Sequence, residues 1–141
     1  GYDQLIWTDA KEHAYIEESG TMNVMFIIND TLITPSTRDT ILDGVTRHSI
    51  LHLARAWGMN VEERRVSVKE VIDAASKGVL QDAFGAGTAA TVAPIAEISY
   101  EGEPLVFPEP PSWEFSNRAL KTLNDIRYGK IADEFGWNYL I

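Results

Sequence analysis

A chain of 141 residues with 45% hydrophobic side chains has the apolar content for one ordinary soluble domain. It carries no apolar run of about 18 residues such as a membrane helix needs, and Gly1-Tyr2-Asp3-Gln4 lacks the basic-then-apolar layout of a secretory signal. A formal net charge of −9 argues against general nucleic-acid binding, and the absence of cysteine excludes disulfides and thiolate chemistry and makes the cytoplasm the default location.

Gln4 to Thr8 reads as a short strand and Ala14 to Glu18 as a second, with a charged stretch between them. Gly20 breaks the pattern, and Asn23 to Asn29 is the strongest strand, an apolar run with little charge. Thr31 to Thr34 returns as its hairpin partner, and Pro35 to Arg38 is loop. Periodicity then becomes helical: Ile50, Leu51, Leu53, Ala54 and Trp57 share one face, with Thr46 as N-cap and Gly58 as stop. Val61 to Val66 reads as a strand. Ser67-Val68-Lys69-Glu70 is a capping box opening a helix that ends near Lys77-Gly78. Gln81 to Val92 reads as one strand interrupted by Gly85 and Gly87, and Ile95 to Tyr100 as another, turned at Glu101-Gly102. Pro104, Pro108, Pro110 and Pro111 predict a stiff connector, after which Ser116 caps a long helix with Leu120, Leu123, Ile126 and Ile131 inward. The sum is a mixed α/β domain without internal repeats.

Three constellations could carry chemistry. In Leu42-Asp43-Gly44-Val45-Thr46-Arg47 a glycine turn delivers the chain into a helix whose first amides lack internal acceptors and suit an anion. The same pattern also describes an ordinary capped helix. Phe84-Gly85-Ala86-Gly87-Thr88-Ala89 lets backbone approach a ligand closely, or is simply a bulged strand; its spacing fails the dinucleotide fingerprint. Glu17-Glu18 precedes a tight turn, and since neighbours on a strand face opposite ways, at most one looks inward; without context both read as solvent-exposed charge. His48 and His52 stand four apart on a helix but lack the intervening glutamate and third ligand of a zinc motif, so no metal site is assigned.

Taken together and in order, Glu18-Ser19-Gly20-Thr21-Met22-Asn23, Ile41-Leu42-Asp43-Gly44-Val45-Thr46-Arg47, Phe84-Gly85-Ala86-Gly87-Thr88-Ala89 and Asp125-Ile126-Arg127-Tyr128-Gly129 resemble the branched-chain amino acid aminotransferases. These are fold-type IV pyridoxal-phosphate enzymes, and the resemblance runs over nearly the whole chain. Gly20-Thr21-Met22-Asn23 is similar to the branched-chain subgroup rather than to D-amino acid aminotransferases or aminodeoxychorismate lyases. The resemblance implies the large C-terminal domain of the D-amino acid aminotransferase-like fold across 1–141. It implies transfer of the amino group between leucine, isoleucine or valine and 2-oxoglutarate by a full-length homodimer; the cytoplasmic location and the expectation of neither membrane nor nucleic-acid partners come from composition and charge.

Residue roles follow from the same resemblance. Glu18 matches the acid that faces the cofactor's pyridine nitrogen, Val45, Thr46 and Thr88 match phosphate contacts, and Thr21 and Ala89 match groups holding the substrate carboxylate. The family's Schiff-base lysine corresponds to a position before Gly1, and Lys11, Lys69, Lys77, Lys121 and Lys130 match no such role. The expectation is therefore that this chain alone is inactive and does not hold pyridoxal phosphate stably, with the N-terminal domain and the phosphate-clamping arginine outside it. Where some mammalian members carry Cys-x-x-Cys, this sequence has Ala90 and Ala93. Two other readings stay open: another fold-type IV transaminase or lyase, and a non-catalytic binding domain on the same fold.

Overall fold

The computed structural model describes residues 1–38, 40–105, 107 and 114–139. In chain order it runs β1 (Ile6–Thr8), β2 (Ile16–Ser19), β3 (Met22–Ile28), β4 (Thr31–Thr34), α1 (Val45–Ala56), β5 (Asn60–Glu63), α2 (Val68–Ser76), β6 (Leu80–Gly87), β7 (Thr91–Pro94), β8 (Ile98–Tyr100), β9 (Glu103–Leu105) and α3 (Glu114–Arg127). Strands β1 to β7 form one sheet centred on β3, and β8 and β9 pair separately.

Strand β3 sets the geometry. Along one edge it pairs antiparallel with β6 from Asn23↔Ala86 to Ile28↔Leu80. Its other partners divide its length: β2 pairs with the first residues, through Glu18↔Asn23 and Ser19↔Met22, and β4 with the last, through Phe26↔Ile33 to Ile28↔Thr31. Buried Thr34 donates its hydroxyl to the Val24 carbonyl (2.8 Å), joining the end of β4 to the middle of β3. Strand β4 then pairs parallel with β5, the connection being the α1 crossover.

Alternation along β3 sorts its side chains to two cores. Met25 and Ile27, with Phe84 and Ala86 from β6, face α1 and α3 and pack on Ile50, Leu51, Ala54, Phe115 and Ala119. Val24, Phe26 and Ile28 face the other way with Ala83, Leu80 and Ile33, against Val71 and Ala74 of α2. A strand buried on both faces reads as a continuous apolar run, and each such side chain contributes about 1.5–3 kcal/mol.

Several boundaries differ from the sequence expectation for identifiable reasons. Helix α1 is capped by Gly44 rather than Thr46, because Gly44 takes the extended backbone (φ −74°, ψ 138°) that a cap requires and Thr46 already lies in the first turn. The 81–92 strand is instead a hairpin, β6 turning into β7 with Gly87↔Thr91 closing the register. Ser67 caps α2 as expected, accepting from the Glu70 amide (3.0 Å), but the Glu70 carboxylate pairs with Arg64 instead of completing the capping box. Pro104 sits in β9, paired with Ser99, and not in a connector; Pro108, Pro110 and Pro111 lie outside the described residues. Ile126 is buried and Leu120 and Leu123 pack on the core, whereas Ile131 lies past the end of α3 and is 45% exposed.

Ser116 does not cap α3 but sits in its first turn, and the acceptor there is a buried carboxylate. Asp82 of β6, 1% exposed, accepts from the Ser116 amide (3.0 Å) and hydroxyl (3.2 Å). Burial pushes its carboxyl from the ordinary 3.8 up to about 6, only partly offset by hydrogen bonds from Ser116 and Ala83. Because the folded value is raised, folding favours the protonated form. That contribution is complete below about pH 4 and is lost as pH rises through about 6. At 1.36 kcal/mol per unit, the stability of wild type relative to Asp82→Asn falls by about 2–3 kcal/mol between pH 4 and pH 7.5, measured by urea unfolding. A difference that stays flat or grows with pH contradicts this account.

Candidate functional site

One end of the sheet gathers the sequence-predicted residues. Strand β2 ends there, β3 begins there, β6 ends there, and α1 starts against them. Register places Glu18, Asn23 and Ala86 in a row across β2, β3 and β6, on the face that Met25 and Phe84 continue. Glu18 is half-buried and accepts the Leu42 amide through Oε1 (2.8 Å). Glu17, also half-buried, accepts the Thr40 hydroxyl (2.9 Å). The two glutamates, read from pattern as solvent-exposed charge, instead hold the 40–42 segment, which positions the entry to α1.

The Asn23 amide donates to the Leu42 carbonyl (2.8 Å), and the Gly44 amide reaches the same oxygen (3.0 Å). Space favours glycine here: a Cβ at Gly44 would stand 2.5 Å from Asn23 Oδ1, so a larger residue needs that side chain to shift. Having no side chain, Gly44 gives the first amides of α1 no cap, and no acidic residue stands in that first turn. Those N–H groups carry the positive end of the helix dipole and suit an anion. Val45 is 83% exposed and Thr46 is partly exposed, at the open side of this turn. Asp43, just before the cap, is engaged by His48 Nε2 (2.6 Å). His52, one turn further along α1, packs edge-on against Phe135 and Trp137.

The remaining predicted residues sit in turns. Thr21 occupies the β2–β3 turn, and Thr88 and Ala89 the β6–β7 turn; all three are exposed. The two turns neighbour one another because β3 pairs with both β2 and β6. Hydrogen bonds thus tie Glu18 to the segment leading into Val45 and Thr46, whereas Thr21, Thr88 and Ala89 join through register alone. An open groove of about 580 Å³ lies on the α2 side against Ile16, Met22, Val68 and Val71, and none of the six predicted residues lines it.

Sequence reasoning missed Arg47. It was the last residue of a quoted motif, yet it is 1% exposed, and Nη2 donates to the Pro35 carbonyl (3.1 Å) and to Glu63 (2.9 Å). Its position one turn into an otherwise apolar helix face was the available signal. The five lysines are all exposed; Lys69 pairs with Asp73 and Lys121 with Asp125.

Comparisons with known proteins bear on this arrangement. The sequence model described as amino-transferase class IV matches residues 1–98. Branched-chain-amino-acid aminotransferase 2 of Bacillus subtilis is 41% identical over 137 residues, covering 97% of this chain and 38% of that protein. Among solved structures, the branched-chain amino acid aminotransferase of Escherichia coli superposes with a TM-score of 0.75 at 26% identity, over 97% of this chain and 42% of the other. The Thermobaculum terrenum enzyme in its PLP-form gives 0.70 at 28% identity, over 93% and 39%. The chain therefore spans about 38% of the length of the curated relatives it matches.

Proposed function

The chain belongs to the class IV aminotransferases, and from that premise we propose that the whole protein transfers amino groups between branched-chain L-amino acids and 2-oxoglutarate with pyridoxal phosphate. The observation that carries the proposal is the tie between an acid and a helix N-terminus, Glu18 to Leu42, two residues before the cap of α1. That pairing suits a ligand with a basic ring nitrogen at one end and a phosphate at the other. The residues fit such a group: Glu18 gives only one carboxylate oxygen to Leu42, and the cap of α1 has no side chain to compete for its amides.

Pyridoxal phosphate, when bound, supplies an electron sink for chemistry at the amino-acid α-carbon. Glu18 holds negative charge toward the ring nitrogen and favours its protonated form. The Val45 and Thr46 amides, the Thr46 hydroxyl and Thr88 bind the phosphate. The Thr21 hydroxyl and the Ala89 amide orient the substrate carboxylate, which fixes the α-hydrogen for removal. The proton-moving lysine belongs, in this reading, to the remainder of the whole protein, since the five here are exposed and the chain covers 38% of its relatives. The same family reading makes the whole protein a homodimer, and we place it in the cytoplasm on composition. Among the described residues no helix is long and apolar enough to cross a membrane.

The test is an assay of full-length protein with L-leucine, L-isoleucine and L-valine against 2-oxoglutarate, beside D-alanine and aminodeoxychorismate. Turnover of the first three alone is expected, with none by the 141-residue chain in isolation. Preference for either of the last two substrates moves the protein to another branch of the family, and no turnover of any substrate by the full-length protein favours a binding role.

A further inference from the structure

We infer that Asn23 is a positioning residue that sets the spacing between the ring-nitrogen acid and the phosphate-binding helix start; this rests on the pyridoxal-phosphate reading above. Leu42 is gripped from both sides: its N–H goes to Glu18 Oε1 (2.8 Å) and its carbonyl takes Asn23 Nδ2 (2.8 Å). Glu18 and Asn23 are register partners on adjacent strands, so the sheet itself fixes the separation of the two side chains. The same carbonyl receives the Gly44 amide (3.0 Å), and Gly44 is the cap of α1. The acid, the loop and the helix N-terminus thus form one closed set of hydrogen bonds with Asn23 as its inner corner.

Burial supports the assignment. Asn23 is 6% exposed in a strand whose next five residues are apolar, so a polar side chain there is costly unless its hydrogen bond is made. Its amide end meets that requirement at Leu42. Its oxygen end lies 2.5 Å from where a Cβ at Gly44 would stand, so a side chain at position 44 displaces either the asparagine or the helix start. A ligand bound at two ends gains from both contacts only if their separation is held, and errors well under an ångström matter. Asn23 touches neither end in this arrangement; it acts through Leu42 and Gly44.

Full-length protein carrying Asn23→Ala, Gly44→Ala or both is the material for the test. The probes are pyridoxamine phosphate and pyridoxamine, which form no covalent bond with a lysine and differ only in the phosphate. Loss of the spacing removes the benefit of binding both ends together. Asn23→Ala therefore weakens pyridoxamine phosphate roughly tenfold or more, while pyridoxamine changes less than about threefold. Gly44→Ala weakens pyridoxamine phosphate similarly in the presence of Asn23, and adds little in the Asn23→Ala background, where the clash is gone. Thermal unfolding of the ligand-free proteins checks the fold, but the ratio between the two probes is the decisive quantity, since general loosening lowers both affinities alike. Equal weakening of the two probes, or strictly additive effects of the two substitutions, overturns the role of Asn23. A wild-type protein that binds neither probe overturns the pyridoxal-phosphate reading itself.

Discussion

Glu18→Gln in the full-length enzyme is expected to lower kcat by about 10²–10³, the range found when one preorganised electrostatic partner of a reacting group is removed. The substitution isolates charge from placement. A glutamine oxygen still accepts the Leu42 amide that Glu18 Oε1 accepts now (2.8 Å), so the loop into α1 stays where it is. What disappears is the negative charge that, in the proposed site, would favour a protonated ring nitrogen. Unfolding stability should change by less than about 1 kcal/mol, because the residue is only half-buried and its hydrogen bond is kept. Steady-state kinetics of both half-reactions provide the check: a shared chemical role slows each of them, while a role in binding one substrate raises only that KM. Unchanged kcat in both directions contradicts the assignment.

Arg47→Ala is expected to destabilise the domain by about 3–5 kcal/mol, the range for truncating a large core residue or breaking a buried charge pair. Arg47 is among the largest fully buried side chains and reaches from α1 to the Pro35 carbonyl and to Glu63 at the end of β5. Its Nε has no hydrogen-bond partner, so the burial is not perfectly compensated. Arg47→Met is the informative companion, since it fills much of the space without a charge and should recover about half of the loss or more. Glu63 would remain paired with Arg55 (2.8 Å). Hydrogen bonds, first from Arg55 and then from Arg47, hold the Glu63 carboxyl below its ordinary 4.5. Its contribution is therefore present above that value and is lost as pH falls through the lowered one. Urea unfolding of the three proteins measures the series. A loss of under about 1 kcal/mol in Arg47→Ala means that α1 does not depend on this anchor.

The legible parts of the fold were those written in local pattern. The apolar run of β3, the Ser67 cap of α2 and the helical face of α1 each follow from neighbours within one turn or one strand. The hairpin after Gly87 was less visible, because small residues suit a bulge as readily as a turn and only the pairing with β7 decides between them. Long-range pairing hid the rest. Asp82 lies 34 residues from Ser116, so nothing near either one reveals that a carboxylate of β6 serves the first turn of α3. The site divides in the same way. Motif order pointed to Glu18, Thr46 and Thr88, but the bonds that join the first two run through Leu42 and Asn23, whose role depends on a contact 19 residues away.

The most direct measurement is a structure of the full-length protein crystallised with pyridoxal phosphate. The account predicts the phosphate within about 2.7–3.2 Å of the Val45 and Thr46 amides and the ring nitrogen at similar distance from the Glu18 carboxylate oxygen not used by Leu42. A cofactor seated elsewhere, for instance in the groove beside Met22 and Val71, with the start of α1 contacting only solvent, contradicts it.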